Sequence, residues 1–294
     1  MQIPETIYIE TTNLCNAECI MCPHRKMKRP QQTMTDACFH SILEGLHAYD
    51  LSHTQLFLHK EGEPLCDPQL EERITLARSQ TNAKEVGINT NAMLLTPARS
   101  ARLLSSGLDT IYFSIDGTST ATYNRIRVNC DYDTVAQHVR TFLELRAKSH
   151  DRVRVIMQML LDGTNDDEKE TFLRLWSPYD VEFYIKPMHC YLDGGKSSFA
   201  PHTSDVQLRP CKDPFRMIVV YSNGHTGACC WDYDNEYDLG MVEGTDLIQI
   251  YQGPRMEAMR FHQAALDCKD MIPCNRCGRI FGDDKIRLPD GDFY

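Results

Sequence analysis

Three cysteines crowd into one short stretch, Cys15-Asn-Ala-Glu-Cys19-Ile-Met-Cys22. Thiols at that spacing suit a metal or an iron–sulfur cluster, because one loop can aim all three at a single centre. A cubane [4Fe–4S] cluster normally takes four cysteines, so three local ones leave one iron open to another ligand. A tetrahedral zinc site is the competing reading, with His24 as the nearest fourth ligand. A second set lies late in the chain: Cys211, the pair Cys229-Cys230, Cys268, and Cys274-Asn-Arg-Cys277. A CxxC pair brings two thiolates onto one metal, and a hairpin between Cys211 and Cys229 can bring those two together. Cys211, Cys229, Cys274 and Cys277 suffice for a fully ligated [4Fe–4S] cluster or a four-cysteine zinc site. Cys268 is the rival for one of these places.

The rest of the composition bounds the chemistry. The chain has 13 cysteines in 294 residues and starts Met1-Gln-Ile-Pro-Glu-Thr, which lacks the basic and apolar regions of a signal peptide. A cytoplasmic protein is expected, and reducing conditions favour metal ligation or catalysis over disulfides. No run of about 18 apolar residues is present, so no membrane-spanning helix is expected. A net charge of −10 argues against general binding of nucleic acid or anionic membrane. The basic block His24-Arg25-Lys26-Met27-Lys28-Arg29 reads as a solvated loop.

The elements that must position these residues alternate between β-rich and amphipathic helical runs. Strands are expected at Thr6–Thr11, Gln55–His59, Glu85–Asn89, Thr110–Ile115, Val153–Leu160 and Val181–Lys186. Apolar residues at helical spacing lie between them, as in Phe39-Ile42-Leu43-Leu46 and Val135-Val139-Phe142-Leu143. Thr35 or Asp36 caps the first helix, and Thr96-Pro97 opens another. Six such units predict an α/β fold, a (β/α)6 partial TIM barrel with ligand groups at the C-terminal strand ends. The polar groups at those ends are Gly62-Glu63-Pro64, Asn89-Thr90-Asn91 and Ser114-Ile115-Asp116-Gly117, with Arg125 and Arg127 just beyond.

The pattern changes after Met188, and a boundary is expected near residue 190. Gly194-Gly195-Lys196-Ser197-Ser198 reads as a loop. A hairpin follows, Met217–Tyr221 and His225–Cys229 about the turn Ser222-Asn223-Gly224, then one helical stretch over Leu247–Ala265. The expected organisation is residues 1–190 as the barrel and 191–294 as a small α+β domain.

The spacing CxxxCxΦC, with Met21 as Φ, resembles the signature of the radical S-adenosylmethionine (SAM) superfamily. That resemblance implies that SAM chelates the open iron and is cleaved to a 5′-deoxyadenosyl radical, which takes hydrogen from a C–H bond. It implies a SAM-binding [4Fe–4S] cluster on Cys15, Cys19 and Cys22, and an electron donor such as flavodoxin or ferredoxin. Gly62, Glu63 and Pro64 resemble the segment beside the SAM amino group. Asn89, Asn91, Ser114 and Asp116 fall where the family places polar contacts to SAM. Arg127 and Arg125 are candidates for the SAM carboxylate or the substrate. Cys211-x12-Gly224-x4-Cys229 resembles the opening of the SPASM/twitch extension. A single closing CxxC resembles the shorter twitch version, with one auxiliary cluster.

The expected function is therefore hydrogen abstraction from a small polar substrate: a sugar, aminocyclitol or nucleoside. The small substrate is favoured because Cys15 comes too early to leave room for a peptide-recognition domain. Cys38, Cys66, Cys130 and Cys190 read as small buried hydrophobes. Cys230 stands beside a cluster ligand, and its thiol can donate a hydrogen atom to a substrate radical, giving an epimer. Dehydrogenation with the auxiliary cluster as electron acceptor is the alternative. Modification of a ribosomally made peptide is a third outcome, and a non-catalytic zinc-binding protein is the reading from another class.

Overall fold

The computed structural model describes residues 2–149, 153–188, 210–268 and 270–277. Six strands alternate with helices along the first part: β1 (Thr6–Ile9), β2 (Gln55–Phe57), β3 (Glu85–Thr90), β4 (Thr110–Ser114), β5 (Arg154–Leu161) and β6 (Glu182–Pro187). They pair in chain order, every pair parallel, as connections through helices require. The expected (β/α)6 partial barrel is found. Each strand was predicted within a few residues of its observed limits.

The helices are α1 (Asp36–Leu46), α2 (Leu70–Gln80), α3 (Pro97–Ser105), α4 (Thr120–Ile126), α5 (Tyr132–Lys148) and α6 (Lys169–Trp176). Thr35 caps α1 by accepting from Cys38 N, and Thr96 caps α3 ahead of Pro97. Strand alternation sorts the side chains into two faces. Ile7, Ile9, Leu56, Val86, Ile88, Ile111, Phe113 and Met157 are buried in one core with Phe39, Leu43, Leu103 and Phe142 from the helices. The opposite face carries rings and polar groups. Tyr8 stacks on Phe57 at 5.5 Å, and Phe57 meets His59 and Tyr112 edge-on.

The C-terminal segment continues the same sheet. It adds α7 (Asp213–Arg216), β7 (Met217–Val220), β8 (His225–Gly227), β9 (Asp238–Met241), α8 (Leu247–Tyr251) and α9 (Pro254–Ala265). The strand order is β6-β5-β4-β3-β2-β1-β7-β8-β9, so β1 is paired on both sides. Its register with β7 runs from Thr6↔Met217 to Ile9↔Val220, in parallel. The expected hairpin is β7–β8, turned at Gly224, whose φ of +81° suits a residue without a Cβ. β9 was not foreseen, since Asp238-Leu-Gly-Met carries little strand signal. The single helix expected over Leu247–Ala265 is two. Gly253-Pro254 breaks it, because proline lacks the N–H and disfavours helix at the residue before it. The boundary expected near residue 190 and the loop at Gly194–Ser198 lie outside the described residues.

A buried ion pair closes the seam between β1 and β7. Arg29 Nη1 and Nη2 reach Glu10 Oε1 and Oε2, both at 2.8 Å. Glu10 Oε1 also accepts from Ser222 N at 3.0 Å, and Arg29 Nε donates to Tyr233 O at 2.8 Å. The guanidinium lies 4.4 Å from the Tyr221 ring centroid. The basic block is therefore only partly solvated: Arg25, Lys26 and Lys28 are exposed, while Arg29 is 8% exposed. Removing one member of such a pair strands the other charge. Arg29→Ala is expected to destabilise the fold by about 3–5 kcal/mol, read by anaerobic denaturant titration. Arg29→Lys should lose less, because it keeps the charge but not the planar fork. A loss below about 1 kcal/mol for Arg29→Ala, the range of exposed pairs, would contradict this account.

Candidate active site

The first cysteine loop leaves the C-terminal end of β1 and is pinned on several sides. Asn13 Oδ1 accepts from Gln32 N at 2.6 Å, and its Nδ2 donates to Pro30 O at 2.9 Å. Glu18 N and Ile20 N donate to Val128 O and Ile126 O at the end of α4. Cys19 is buried, while Cys15 and Cys22 are half-buried. Burial pushes the Cys15 and Cys22 thiols up, and each feels Cys19 as a neighbour. Thiols in such surroundings ionise poorly alone, and metal binding is what displaces their protons. The Tyr123 hydroxyl, buried within electrostatic reach of Arg127 and Cys19, has no hydrogen-bond partner. Three soft donors and an orphaned polar group fit a thiolate-ligated iron–sulfur cluster with a polar ligand beside it. His24, the candidate fourth zinc ligand, turns its Nε2 to Asn13 O at 2.7 Å. Among the described residues no three His, Cys, Asp or Glu converge at the spacing of one metal ion.

The predicted strand-end residues surround this loop, mostly by holding one another. A Cβ on Gly62 would lie 2.5 Å from Thr12 O and 2.7 Å from Leu14 O. The close approach that demands glycine is thus to the cysteine loop's own backbone. Glu63 is buried and accepts from Thr90 Oγ1 at 2.6 Å, Asn91 N at 2.8 Å and Leu65 N at 3.0 Å. A carboxylate has about four acceptor positions, so little of this one remains for a ligand. Pro64 begins the short 3-10 helix Pro64–Cys66 that Glu63 caps. Asn91 Nδ2 donates to Asn16 Oδ1 at 3.0 Å, which ties β3 to the cysteine loop. Asn89 Oδ1 accepts from Ser114 Oγ at 2.7 Å. Asp116 is fully buried, with Oδ1 on Leu160 N and Oδ2 on Arg127 Nε, at 2.7 and 2.6 Å. Arg127 Nη1 reaches Cys19 Sγ at 3.7 Å. Arg127 is therefore at the site, and Asp116 orients it. Arg125 is not: it pairs with Asp162 at 3.2 Å on the surface. Met21 is half-buried and packs on Ile126, Leu160 and Met188.

The second cysteine set is assembled from distant segments. The β7–β8 hairpin brings the ends of Cys211 and Cys229 together, and Cys229 feels Cys211 as a neighbouring charge. Gln263 on α9 is 1% exposed and bridges two of the set. Its Oε1 accepts from Cys211 N at 2.9 Å, and its Nε2 donates to Cys274 Sγ at 3.1 Å. Cys277 packs with Trp231, Tyr233, Cys229 and Cys230. Burial and the neighbouring Cys268 and Cys277 push the Cys274 thiol up to about 12. Cys268, the rival ligand, points its Sγ at His262 O at 3.5 Å. Cys230 Sγ donates to Asp213 Oδ2 at 3.7 Å, and Asp213 is 1% exposed.

Among the leftover cysteines, Cys130 is buried as expected, while Cys38 and Cys66 are half-buried; Cys190 lies outside the described residues. Sequence reasoning missed Glu10, Arg29, Lys60, Asp213 and Gln263. None stands in a recognisable spacing; each is found only because tertiary pairing buries it. No helix among the described residues is long and apolar enough to cross a membrane.

Comparison with known proteins shows the family. The model of the radical SAM superfamily matches residues 9–175, and that of the SPASM iron–sulfur cluster-binding domain matches residues 211–278. Together they imply a SAM-binding [4Fe–4S] cluster, auxiliary cluster binding and SAM itself. The chain is 29% identical over 115 residues to a tungsten-containing aldehyde ferredoxin oxidoreductase cofactor-modifying protein of Pyrococcus furiosus, covering 39% of this chain and 32% of that one. It is 26% identical over 197 residues to the GTP 3′,8-cyclase of Alkaliphilus oremlandii, 65% of this chain and 59% of that one. The chain thus spans from a third to three fifths of these relatives. Among solved structures it is similar to BtrN in complex with AdoMet and 2-DOIA, with a TM-score of 0.64, 16% identity and 98% of both chains covered. It is similar to anSMEcpe with bound AdoMet and Kp18Cys peptide at a TM-score of 0.71, with 13% identity over 98% of this chain and 92% of that one. SuiB of Streptococcus suis bound to the precursor peptide SuiA gives 0.63, with 13% identity over 88% and 67%. At these identities the likeness to solved structures is one of fold.

Two separate thiol groups predict about eight irons per chain in anaerobically reconstituted protein, as two four-iron clusters. Replacing Cys15, Cys19 and Cys22 together by Ala should leave about four and abolish SAM cleavage, measured by iron analysis and by 5′-deoxyadenosine release. Replacing Cys274 and Cys277 should remove the other four while the SAM-responsive signal stays. Stoichiometric zinc in the second group would contradict its assignment to iron.

Proposed function

The chain belongs to the radical SAM superfamily, and on that premise we propose that it epimerises a carbon centre of a small polar substrate, a sugar, aminocyclitol or nucleoside. When bound, the first cluster and SAM supply a 5′-deoxyadenosyl radical that removes the hydrogen atom. In this reading Cys15, Cys19 and Cys22 hold the cluster. Arg127, oriented by Asp116, presents a cation toward the carboxylate of SAM. Glu63 and Asn91 act as positioning residues that fix the cysteine loop, and Asn89 and Ser114 line the strand ends with polar groups. Cys211, Cys229, Cys274 and Cys277 hold the auxiliary cluster.

The observation that carries the proposal is the place of Cys230. It neighbours Cys229, yet its sulfur is aimed at the buried carboxylate of Asp213. Cys230 is the donor in that contact, and an S–H is what hydrogen-atom donation needs. Donation breaks S–H, forms C–H on the substrate and leaves a thiyl radical on Cys230. The thiyl returns to thiol with one electron from an external donor of the flavodoxin or ferredoxin kind and one proton, at a sulfur that faces the carboxylate of Asp213. A small ligand is supported by the overall match to BtrN, whose structure is a complex with AdoMet and 2-DOIA.

Dehydrogenation is the second reading, favoured by the cysteine group assembled beside Cys230, where an auxiliary cluster would accept the second electron. Peptide modification is the third, supported by the peptide-bound anSMEcpe and SuiB folds.

The test is anaerobic turnover in deuterated water with wild type and Cys230→Ala. Epimerisation predicts one deuterium at carbon in the wild-type product. Cys230→Ala should still release 5′-deoxyadenosine while forming less than about a tenth of the product, the loss expected when one essential step is removed. Full product formation by Cys230→Ala removes Cys230 as donor, and a product two hydrogens lighter establishes dehydrogenation.

A further inference from the structure

The buried stripe of α9 is Met256, Met259 and Gln263, at spacings of three and four. A helix packed on a core calls for an apolar residue at the third place, and a glutamine stands there at 1% exposure. Burying an amide costs free energy unless its polar atoms are paired. Here both are paired. Oε1 accepts from Cys211 N at 2.9 Å, and Nε2 donates to Cys274 Sγ at 3.1 Å. Chemistry settles the orientation of the amide. A backbone N–H can only donate, so the oxygen must face Cys211 and the nitrogen must face the sulfur. A methionine would fill the same stripe and need neither partner. The amide itself is therefore the feature to explain.

Its two partners belong to different segments, Cys211 before α7 and Cys274 after α9. The Cys211 contact anchors the amide and so holds its N–H on the Cys274 sulfur. Cys274 Sγ also lies 3.9 Å from Met259 Sδ, one turn earlier on α9. That contact uses the thiol's own hydrogen and ends when the thiol becomes a thiolate. The amide contact behaves the other way. A thiol sulfur is a weak acceptor, whereas a hydrogen bond to an ionised acceptor is roughly twice as strong. The arrangement thus suits a sulfur that carries negative charge, as a metal-bound cysteine does. Cysteine is the donor type throughout the second group, and Cys277 packs with Cys229, Cys230, Trp231 and Tyr233. Such a donor set fits a thiolate-ligated iron–sulfur cluster.

Hydrogen bonds to cluster sulfurs are one means by which a protein sets a reduction potential. Each electron that a cluster accepts makes its sulfurs more negative, so a donor fixed on one of them favours the reduced form. We propose that Gln263 is a positioning residue of the auxiliary cluster: its amide, anchored on Cys211 N, donates to the Cys274 thiolate and raises the reduction potential of that cluster. This rests on the reading of Cys274 as one of its ligands. Gln263 acts through Cys274.

The experiment compares wild type with Gln263→Met and Gln263→Glu, purified anaerobically and first checked for iron content. Gln263→Met keeps the apolar stripe and removes both hydrogen bonds. Gln263→Glu keeps an oxygen for Cys211 N and removes the N–H. The auxiliary potential is found by titration followed by electron paramagnetic resonance, and the signal that changes on adding SAM identifies the other cluster. Gln263→Met should move the auxiliary potential to more negative values by about a tenfold change in the reduced-to-oxidised ratio, about 59 mV for a one-electron couple. Gln263→Glu should move it at least as far in the same direction, and the SAM-responsive cluster should keep its potential in both. An unchanged auxiliary potential in iron-loaded Gln263→Met overturns the proposal, and so does an equal shift of both clusters. Where Gln263→Met does not hold its auxiliary iron, wild type carrying heavy nitrogen in its glutamine side chains decides. Pulsed electron paramagnetic resonance of its reduced auxiliary cluster should show coupling to that nitrogen, and a spectrum without it overturns the proposal. Cys274→Ala tests the ligand reading separately. An auxiliary cluster that persists in Cys274→Ala overturns that reading and the proposal with it, whereas its loss, together with an unchanged potential in Gln263→Met, overturns the proposal alone.

Discussion

The parallel pairing of β1 with β7 is the constraint on which the rest of the molecule depends. β1 is the first strand of the barrel, and its far side would be an open sheet edge. β7 fills that edge in register, from Thr6↔Met217 to Ile9↔Val220. The first cysteine loop leaves the C-terminal end of β1. The second group draws its members from both sides of the β7–β8 hairpin, with Cys211 before β7 and Cys229 after β8, and from the chain after α9. One strand pairing therefore joins the strand that leads into the first cysteine loop to the hairpin that leads into the second group.

The seam at the end of these two strands is charged. A buried seam is ordinarily filled with aliphatic side chains, as the helix-facing side of this sheet is. Here the pairing Glu10–Arg29 is bidentate and capped by Ser222 N, Tyr233 O and the Tyr221 ring. Such a pair contributes less to stability than apolar packing would, but it admits one geometry. It aligns three things at once: the chain after Cys22, the turn of the hairpin and the segment after Cys229. The same logic holds at the first site, where Asp116 spends both oxygens on Leu160 N and Arg127. Glu63 likewise spends three acceptor positions on its own chain. The buried carboxylates of this fold mainly position other groups.

That division explains how much of the protein was legible in its sequence. The barrel strands were readable because each places β-branched and aromatic residues on a half-buried surface, and helix starts were readable from Thr35 and Thr96. The first cysteine group was readable because its spacing lies within one loop. Gly62 was rightly singled out, but the close approach that demands it is to Thr12 and Leu14. The buried network of Glu10, Arg29, Lys60 and Glu61, in which Lys60 pairs with Glu61 and the Glu61 N–H donates to Glu10 Oε2, was not readable. Its members come from three segments, and a charged residue in a sequence is by default a surface residue. Arg29 was absorbed into a basic run for that reason. β9 was missed because two of its four residues, Asp238 and Gly240, are poor strand formers, and only pairing with β8 makes them a strand.

The two cysteine groups also differ in what assembles them. The first sits in a loop held by Ile126 O, Val128 O, Gln32 N and Asn91, so the barrel alone presents its three thiols. The second has no single scaffold. Cys211 precedes α7, Cys229 follows β8, and Cys274 and Cys277 follow α9. Gln263 touches two of these segments directly, through Cys211 N and Cys274 Sγ. A centre bound by all four would cross-link those segments, and its binding free energy would enter the stability of the C-terminal region. On the proposed ligand set the auxiliary centre is therefore a staple as well as a redox group. The local first site can vary its exogenous ligand without loosening the fold, and the distributed second site cannot give up a ligand without loosening the segments it joins. Ligand exchange therefore fits the first site, and permanent ligation fits the second.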